Sequence, residues 1–189
     1  MRHPFDSIPS ERRKPLFLSF LFLTLLLFAV FRALDTPLRT ASAPNGIVSY
    51  ELAGNIKSAA EILASWDASA QLFAAFGLGL DYLFMPAYAL ALSFGILLAA
   101  GRHAGWFAKL GAPLGWLALA AALFDAVENF ALWQFMLGDF QTLWPRLAAM
   151  CATIKFTFLL VGLAYALIGW LWRSKRTYVD TYTSTHVDT

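Results

Sequence analysis

Charged residues are scarce in this sequence, and so are the residues that build disulfides and metal clusters. Asp, Glu, Lys and Arg together make up 14% of the 189 residues, whereas they make up roughly a quarter of a soluble globular domain. Cys151 is the single cysteine, which excludes an intramolecular disulfide and a cysteine-based metal cluster. The net charge of +2, with no basic run inside a folded segment, argues against nucleic acid as a partner.

The sequence motifs of common enzyme and cofactor classes are also missing. The chain has no HExxH, no P-loop, no GxSxG and no Rossmann glycine motif. Its three histidines, His3, His103 and His186, lie in the predicted tails or in a predicted loop, where none could bind haem iron between helices. We therefore predict no cofactor and no metal site.

Long apolar runs dominate the chain instead, since hydrophobic residues make up 59% of it. Four runs are long enough to cross a hydrocarbon core about 30 Å thick, which takes roughly 20 helical residues. They predict an all-α fold, an integral membrane four-helix bundle that forms one domain over residues 16–172. The predicted spans cover about 16–34, 70–100, 111–137 and 145–172.

The flanks of these spans predict the ends of the domain and its orientation. Residues 1–15 and 173–189 are polar and have no apolar period, so we predict a disordered N-terminal segment and a polar C-terminal tail. Basic residues accumulate on the cytoplasmic side of membrane proteins. Because they cluster before the first span, between the second and third, and after the fourth, we predict that both termini are cytoplasmic. We expect the membrane to be a bacterial cytoplasmic membrane, since no targeting signal for another membrane is visible.

The first apolar run also fits a secretory signal, because Ala41-Ser42-Ala43 resembles a cleavage site. About ten residues separate the run from this tripeptide, which is long for the final region of a signal. The spacing therefore favours an uncleaved membrane anchor, and cleavage would leave the later topology unchanged.

The predicted loop between the first two spans contains a helical pattern. From Ile47 to Trp66 apolar residues recur every three or four positions, and Glu51 lies among the charged residues of the other faces. The pattern predicts a short amphipathic helix over 47–66 in the first outer loop. Such a helix either lies on the membrane surface, with Trp66 at the headgroups, or packs on the outer end of the bundle.

Four ionisable residues lie deep inside the predicted spans. Each costs roughly 2.5 to 3.5 kcal/mol there, so such residues usually face the protein interior and have partners. With a rise of about 1.5 Å per residue, Asp81, Asp125, Glu128 and Lys155 fall at similar depths. We predict that they meet in one polar layer between the last three spans. Three carboxyl groups would share one ammonium in this layer, and burial and mutual repulsion both disfavour their ionised forms. We therefore predict that at least one carboxyl holds a proton or that a cation is bound.

Three neighbouring features indicate the same layer. Asn129 follows Asp125 by one helical turn and so shares its face. Lys155 lies on a face of small residues, which let helices approach closely in membranes. Pro86 leaves the carbonyl of Tyr82 without its helical donor, which places Tyr82 in the wall of the predicted layer. The candidate ligand-binding or proton-handling residues are therefore Asp81, Tyr82, Asp125, Glu128, Asn129 and Lys155.

The first functional hypothesis is a membrane protein that binds a lipid or a small amphipathic molecule at this layer. Asp125 and Glu128 would form the site, Lys155 would supply the counter-charge, and Asp81 and Tyr82 would line the wall. An enzyme built on this layer would use one protonated carboxyl as a general acid and a second carboxyl with a different pKa.

Two other hypotheses stay open. The buried charges would instead specify helix packing in a non-catalytic subunit or assembly factor of a membrane complex. A proton- or cation-coupled carrier is the third hypothesis, although no inverted repeat is visible. A large internal cavity that reaches Glu128 would favour binding, whereas a packed layer would favour the assembly factor.

Overall fold

The computed structural model describes residues 1–172, which form four long helices and three short helical segments. Each long helix contains an 18-residue window apolar enough to cross a bilayer. The chain is therefore an integral membrane protein with the predicted all-α four-helix bundle, and the predicted tail at 173–189 lies outside the described residues. The long helices are α1 (Ser10–Leu34), α4 (Ala68–Ala100), α5 (Gly105–Met136) and α6 (Leu143–Leu171); between α1 and α4 lie a 3-10 turn (Thr36–Leu38), α2 (Ile47–Glu51) and α3 (Ile56–Ser65).

Helices α4, α5 and α6 pack against one another, while α1 lies along α4. The predicted small-residue face of α6 is buried in this core, as the burial of Gly162, Ala166 and Gly169 demonstrates. A Cβ atom at Gly169 would lie only 2.8 Å from the Cβ of Ala99 on α4, so this crossing depends on the missing side chain. Leu27 is the one buried residue of α1. Helix α1 is therefore a peripheral helix beside a three-helix core.

The prediction of disorder over residues 1–15 is wrong in the structure. Helix α1 already begins at Ser10, and the residues before it fold back onto the bundle. The ring of Phe5 stacks on that of Phe94, with 4.5 Å between the centroids. The His3 side chain is buried against Gly115 of α5, in space that a Cβ there would occupy. Composition alone misled the prediction, because two aromatic rings are enough to dock a segment that is otherwise polar.

The predicted continuous helix over 47–66 is broken into α2 and α3. The break contains Gly54, whose φ of +69° lies in the left-handed region that ends a helix. Asn55 then starts α3, because its side-chain oxygen accepts a hydrogen bond from the Ser58 backbone N–H at 2.9 Å. Both helices pack on the end of the bundle at which α4 and α6 begin and α5 ends. Trp66 is buried there and donates its indole N–H to the Leu38 carbonyl at 2.8 Å, so it does not lie among the headgroups.

Candidate functional site

Lys155 is the centre of a buried charge cluster. Its Nζ lies 2.6 Å from Asp125 Oδ1 and 2.8 Å from Glu128 Oε1, so it binds both carboxylates of α5. A third carboxylate oxygen, Oε2 of Glu51, lies 3.7 Å from the same nitrogen. All four side chains belong to residues that are more than nine-tenths buried. An ion pair at this depth stabilises the fold only while every member is present, because a lone buried charge is costly.

Local helix geometry explains why these groups converge. Asp125 and Glu128 are three residues apart on α5 and therefore project from one face of that helix. Lys155 projects from the buried face of α6, with Cys151 and Ala152 one turn earlier on the same face. Because the residues around the lysine are small, α6 lies close enough to α5 for one ammonium to reach both carboxylates.

Two further hydrogen bonds extend the cluster to α4. The Tyr88 hydroxyl donates to Asp125 Oδ2 at 2.7 Å, and Asn129 Nδ2 donates to Asp81 Oδ2 at 2.8 Å. Tyr88 was not among the predicted site residues, although its spacing of seven from Asp81 places both on one face of α4. The structure thus brings five of the six predicted residues into one layer: Asp81, Asp125, Glu128, Asn129 and Lys155.

Tyr82 is the predicted site residue that the structure does not bring into the layer. Its side chain is on the outside of the bundle, with half of the residue exposed, and its hydroxyl donates to the Ala126 carbonyl at 3.2 Å. The physical reason is its position one residue after Asp81, since successive helical residues project about 100° apart. Tyr82 therefore faces away from the buried acid.

Glu51 is the cluster member that the sequence analysis missed. A continuous helix over 47–66 places Glu51 on the polar face, but the break before α3 resets the period, so Leu52 is exposed and Glu51 is buried. The glycine–asparagine pair at 54–55 was the available signal, because it is typical of one helix ending and another beginning. Burial raises the pKa of the Glu51 carboxyl, and the nearby Lys155 ammonium opposes this rise.

A cavity of about 460 Å³ lies directly beside the cluster. Its volume falls within the range of small-molecule sites, about 300 to 1,000 Å³. Most of its wall is apolar, with Phe73, Phe84 and Leu159 among the lining residues. Glu128 is not a lining residue, so the cavity reaches the cluster without reaching that carboxylate. The polar base of the cavity is formed by Glu51, Asp81, Tyr88, Asp125, Asn129 and Lys155, and its mouth contains Arg32, Asp35, Arg39 and Asn45.

Helices α1 and α6 both line this cavity, α1 through Phe31 and α6 through Phe156. Towards the opposite end of the bundle the same two helices approach each other, and the rings of Phe17 and Trp170 lie 6.0 Å apart between their centroids.

No known protein family, curated protein or solved structure matches this chain. Within residues 1–172, no group of three or more His, Cys, Asp or Glu side chains is arranged to hold a metal ion. The function is therefore inferred from the geometry and the chemistry of the cavity and the charge cluster.

Proposed function

We propose that this protein binds a membrane lipid or another small amphipathic molecule in the cavity. The polar group of the ligand contacts the charge cluster, and its apolar chain lies between α1 and α6. The observation that supports this proposal is an apolar cavity of about 460 Å³ that ends at a buried layer of charges. Protein interiors are otherwise packed with few voids, because empty space forfeits dispersion contacts. Space beside a costly charge cluster therefore favours binding over a role in packing alone.

The cavity also favours binding over the two other hypotheses. An assembly factor is expected to present exposed small-residue or aromatic faces to a partner. Aromatic side chains such as Phe22 and Phe76 are exposed, but the small-residue face of α6 is already buried against α4 and α5. A carrier needs access to the site from both sides of the membrane. On the other side of the layer, Phe107 stacks on Tyr165 at 4.3 Å between centroids, and Ile96 beside them is buried, so that part of the described bundle is closed.

The proposed orientation places both termini and the α4–α5 connection in the cytoplasm. Its support is that the basic flanks within the described residues meet at one end of the bundle. Arg102 lies over the ring of Trp170 at 5.2 Å, and the Arg2 carbonyl accepts a hydrogen bond from Trp116. We further propose a bacterial cytoplasmic membrane. Labelling of Ser10→Cys and Gln141→Cys variants in a Cys151→Ala background, with an impermeant maleimide on intact cells, should modify position 141 alone. Modification of position 10 alone would reverse the orientation.

Gly77 offers a direct test of the binding proposal. It lines the cavity, and a Cβ placed there would meet no described atom within 4 Å, so a larger side chain would fill the cavity without a backbone clash. Gly79 is equally unobstructed but does not line the cavity, which makes Gly79→Phe the matched control. The probe is a long-chain alcohol with a diazirine in the chain, incubated with the purified protein in phosphatidylcholine nanodiscs.

We expect the probe to label cavity-lining peptides of the parent protein. Gly77→Phe should lower this labelling by about tenfold, since loss of ~1.4 kcal/mol of binding changes occupancy by that factor. Gly79→Phe should leave it unchanged. Equal labelling in all three proteins would contradict ligand binding in the cavity.

A further inference from the structure

Most hydrogen-bond donors around Lys155 are already engaged within the described chain. Two of the three ammonium hydrogens are donated to Asp125 and Glu128, at 2.6 Å and 2.8 Å from Nζ. Glu51 Oε2 lies 3.7 Å from the same nitrogen, which is too far for a hydrogen bond. The Tyr88 hydroxyl carries one hydrogen, which it donates to Asp125. The third ammonium hydrogen of Lys155 is therefore the one donor of these groups that no described residue engages.

The amide of Asn129 is likewise engaged as a donor but not as an acceptor. Its two N–H hydrogens go to the Leu78 carbonyl at 3.2 Å and to Asp81 Oδ2 at 2.8 Å. Its own Oδ1 is buried and has no hydrogen-bond partner among the described residues, and the same is true of Glu51 Oε2. Asp81 Oδ1 also accepts no hydrogen bond from the described chain. The base of the cavity therefore offers three unused acceptor oxygens but only one unused donor hydrogen, that of Lys155.

The charges at the base of the cavity favour the same kind of ligand. Three carboxyl groups, those of Glu51, Asp125 and Glu128, lie within 4 Å of the single ammonium of Lys155, and a fourth, that of Asp81, joins the layer through Asn129. An anionic headgroup would add a further negative charge in a medium of low dielectric constant and would find only one unengaged N–H, on Lys155, to solvate it. A cationic group that donates hydrogen bonds would compensate the excess of acids and satisfy the unused oxygens.

We infer that the ligand of the proposed binding function is an amphiphile with an amine headgroup, and that Asp81 receives the ammonium while Asn129 supplies a second acceptor. This inference rests on the proposed function, because it assigns a headgroup to the molecule in the cavity. Asp81 is suited to the role because it lines the cavity and retains one free carboxylate oxygen, whereas both oxygens of Asp125 are engaged.

The mouth of the cavity carries charge of the opposite sign. Arg32 and Arg39 line it, and Arg39 pairs with Asp35 through an Nε–Oδ2 distance of 3.1 Å. An anionic amphiphile would place its headgroup at this mouth and its chain inward. The experiment must therefore separate an amine at the base from an anion at the mouth.

The test compares three diazirine probes of equal chain length: an amine, an alcohol and a carboxylate. The protein is the full chain in phosphatidylcholine nanodiscs at neutral pH, and labelling of the lipid-facing side of α6 provides the reference for partitioning. In the parent we expect the amine to label cavity peptides about tenfold more efficiently than either other probe, a difference that one headgroup interaction supplies. Asp81→Asn should remove this preference, because the amide keeps an acceptor for Asn129 but carries no charge.

Asp67→Asn is the matched control, since Asp67 is exposed at the N-terminus of the same helix and asparagine also caps helices well. It should retain the amine preference. Labelling by the carboxylate or the alcohol at least as strong as that by the amine would overturn the headgroup inference and leave the binding proposal standing. Failure of all three probes to label the cavity more in the parent than in Gly77→Phe would overturn the proposed function itself.

Discussion

The two halves of this bundle use glycine in opposite ways. Near the basic end, Gly111 and Gly169 let helices touch, because a Cβ there would lie 2.5 Å from Ala100 Cβ and 2.8 Å from Ala99 Cβ. Near the end with the cavity, Gly77 and Gly79 have no described atom within 4 Å of the Cβ position. In membranes small residues are associated with close helix packing. Here the same residue type closes one half of the molecule and leaves space in the other.

Under the proposed function, this difference separates the half that stabilises the fold from the half that binds the ligand. The basic half consists of close contacts and stacked rings, which is the arrangement expected where only packing matters. The other half holds the buried charges and the empty volume, both of which cost free energy.

Lys155→Met should cause the largest loss of stability. It leaves the Asp125 and Glu128 carboxylates buried without their common partner, so we expect the free energy of unfolding to fall by about 3 to 5 kcal/mol. Reversible unfolding in mild detergent measures the effect. Lys109→Met, at an exposed lysine, is the control and should change stability by less than about 0.5 kcal/mol.

A double-mutant cycle with Glu128→Gln sharpens this result. The double variant should be more stable than the sum of the two single effects predicts, because Glu128→Gln removes one of the charges that Lys155→Met leaves unpaired. Additive effects would show that the two side chains are energetically independent, which contradicts the 2.8 Å contact.

Alanine substitutions at glycines compare the two halves directly. Gly111→Ala should lower the free energy of unfolding by about 1 to 3 kcal/mol, since the new Cβ overlaps Ala100 and forces helices α4 and α5 apart. Gly77→Ala should raise it by about 0.5 to 1 kcal/mol, because alanine favours the helix and meets no described atom within 4 Å. If both variants lost stability to the same extent, the division between the halves would be wrong.

The two tyrosines of α4 provide a smaller contrast. Tyr88→Phe deprives the buried Asp125 of a donor at 2.7 Å and should cost about 1 to 3 kcal/mol in unfolding free energy. Tyr82→Phe removes a hydroxyl from a residue that is half exposed and should cost less than about 0.5 kcal/mol. A reversed order of the two effects would place Tyr82 in the buried layer after all.

The smallest expected effect is local and depends on pH. Burial lowers the pKa of His3 below its ordinary value of 6.5, and Arg13 adds to this shift while Asp6 opposes it. The docked N-terminal segment therefore binds the neutral imidazole. Docking should be complete above the ordinary pKa and should weaken as the pH falls below it, since the undocked histidine takes up the proton more readily.

Fluorescence of Trp116 can follow this release, because its indole N–H donates to the Arg2 carbonyl at 3.1 Å. The signal should change between about pH 7 and pH 5, where an imidazole titrates. His3→Gln should abolish the change and His103→Gln should preserve it. A pH response that persists in His3→Gln would assign the titration to another group.

The sequence was sufficient to predict the spans and most of the charge layer, for physical reasons. Apolar runs of the required length have few alternatives to a membrane helix. The depth of a charge follows from a fixed rise per residue, so Asp125, Glu128 and Lys155 could be placed at one level before any contact was known. The rotation of each helix about its own axis follows less directly from the sequence. Tyr82 was therefore predicted as a site residue in place of Tyr88, which the structure places in the layer.

Glu51 and the N-terminal segment could not be predicted in the same way. Burial of Glu51 depends on the left-handed turn at Gly54, which ends one helix and lets the next begin with a different rotation. The spacing of apolar residues along the sequence does not reveal the size of that rotation. Docking of the first residues depends on the space beside Gly115, which exists only after α4 and α5 have packed. The burial of Glu51 and the docking of the N-terminal segment both follow from tertiary packing, which the pattern of residues along the chain does not predict.

The ion pair between α5 and α6 also bears on how the chain enters the membrane. Only residues 137–142 separate these helices, so they leave the ribosome as one hairpin. Inserted singly, each helix would carry uncompensated charge into lipid at roughly 2.5 to 3.5 kcal/mol per charged residue. Inserted together, Lys155 neutralises part of that charge through contacts of 2.6 Å and 2.8 Å. Biogenesis of this protein is therefore expected to depend on pairwise release of its last two helices from the translocon.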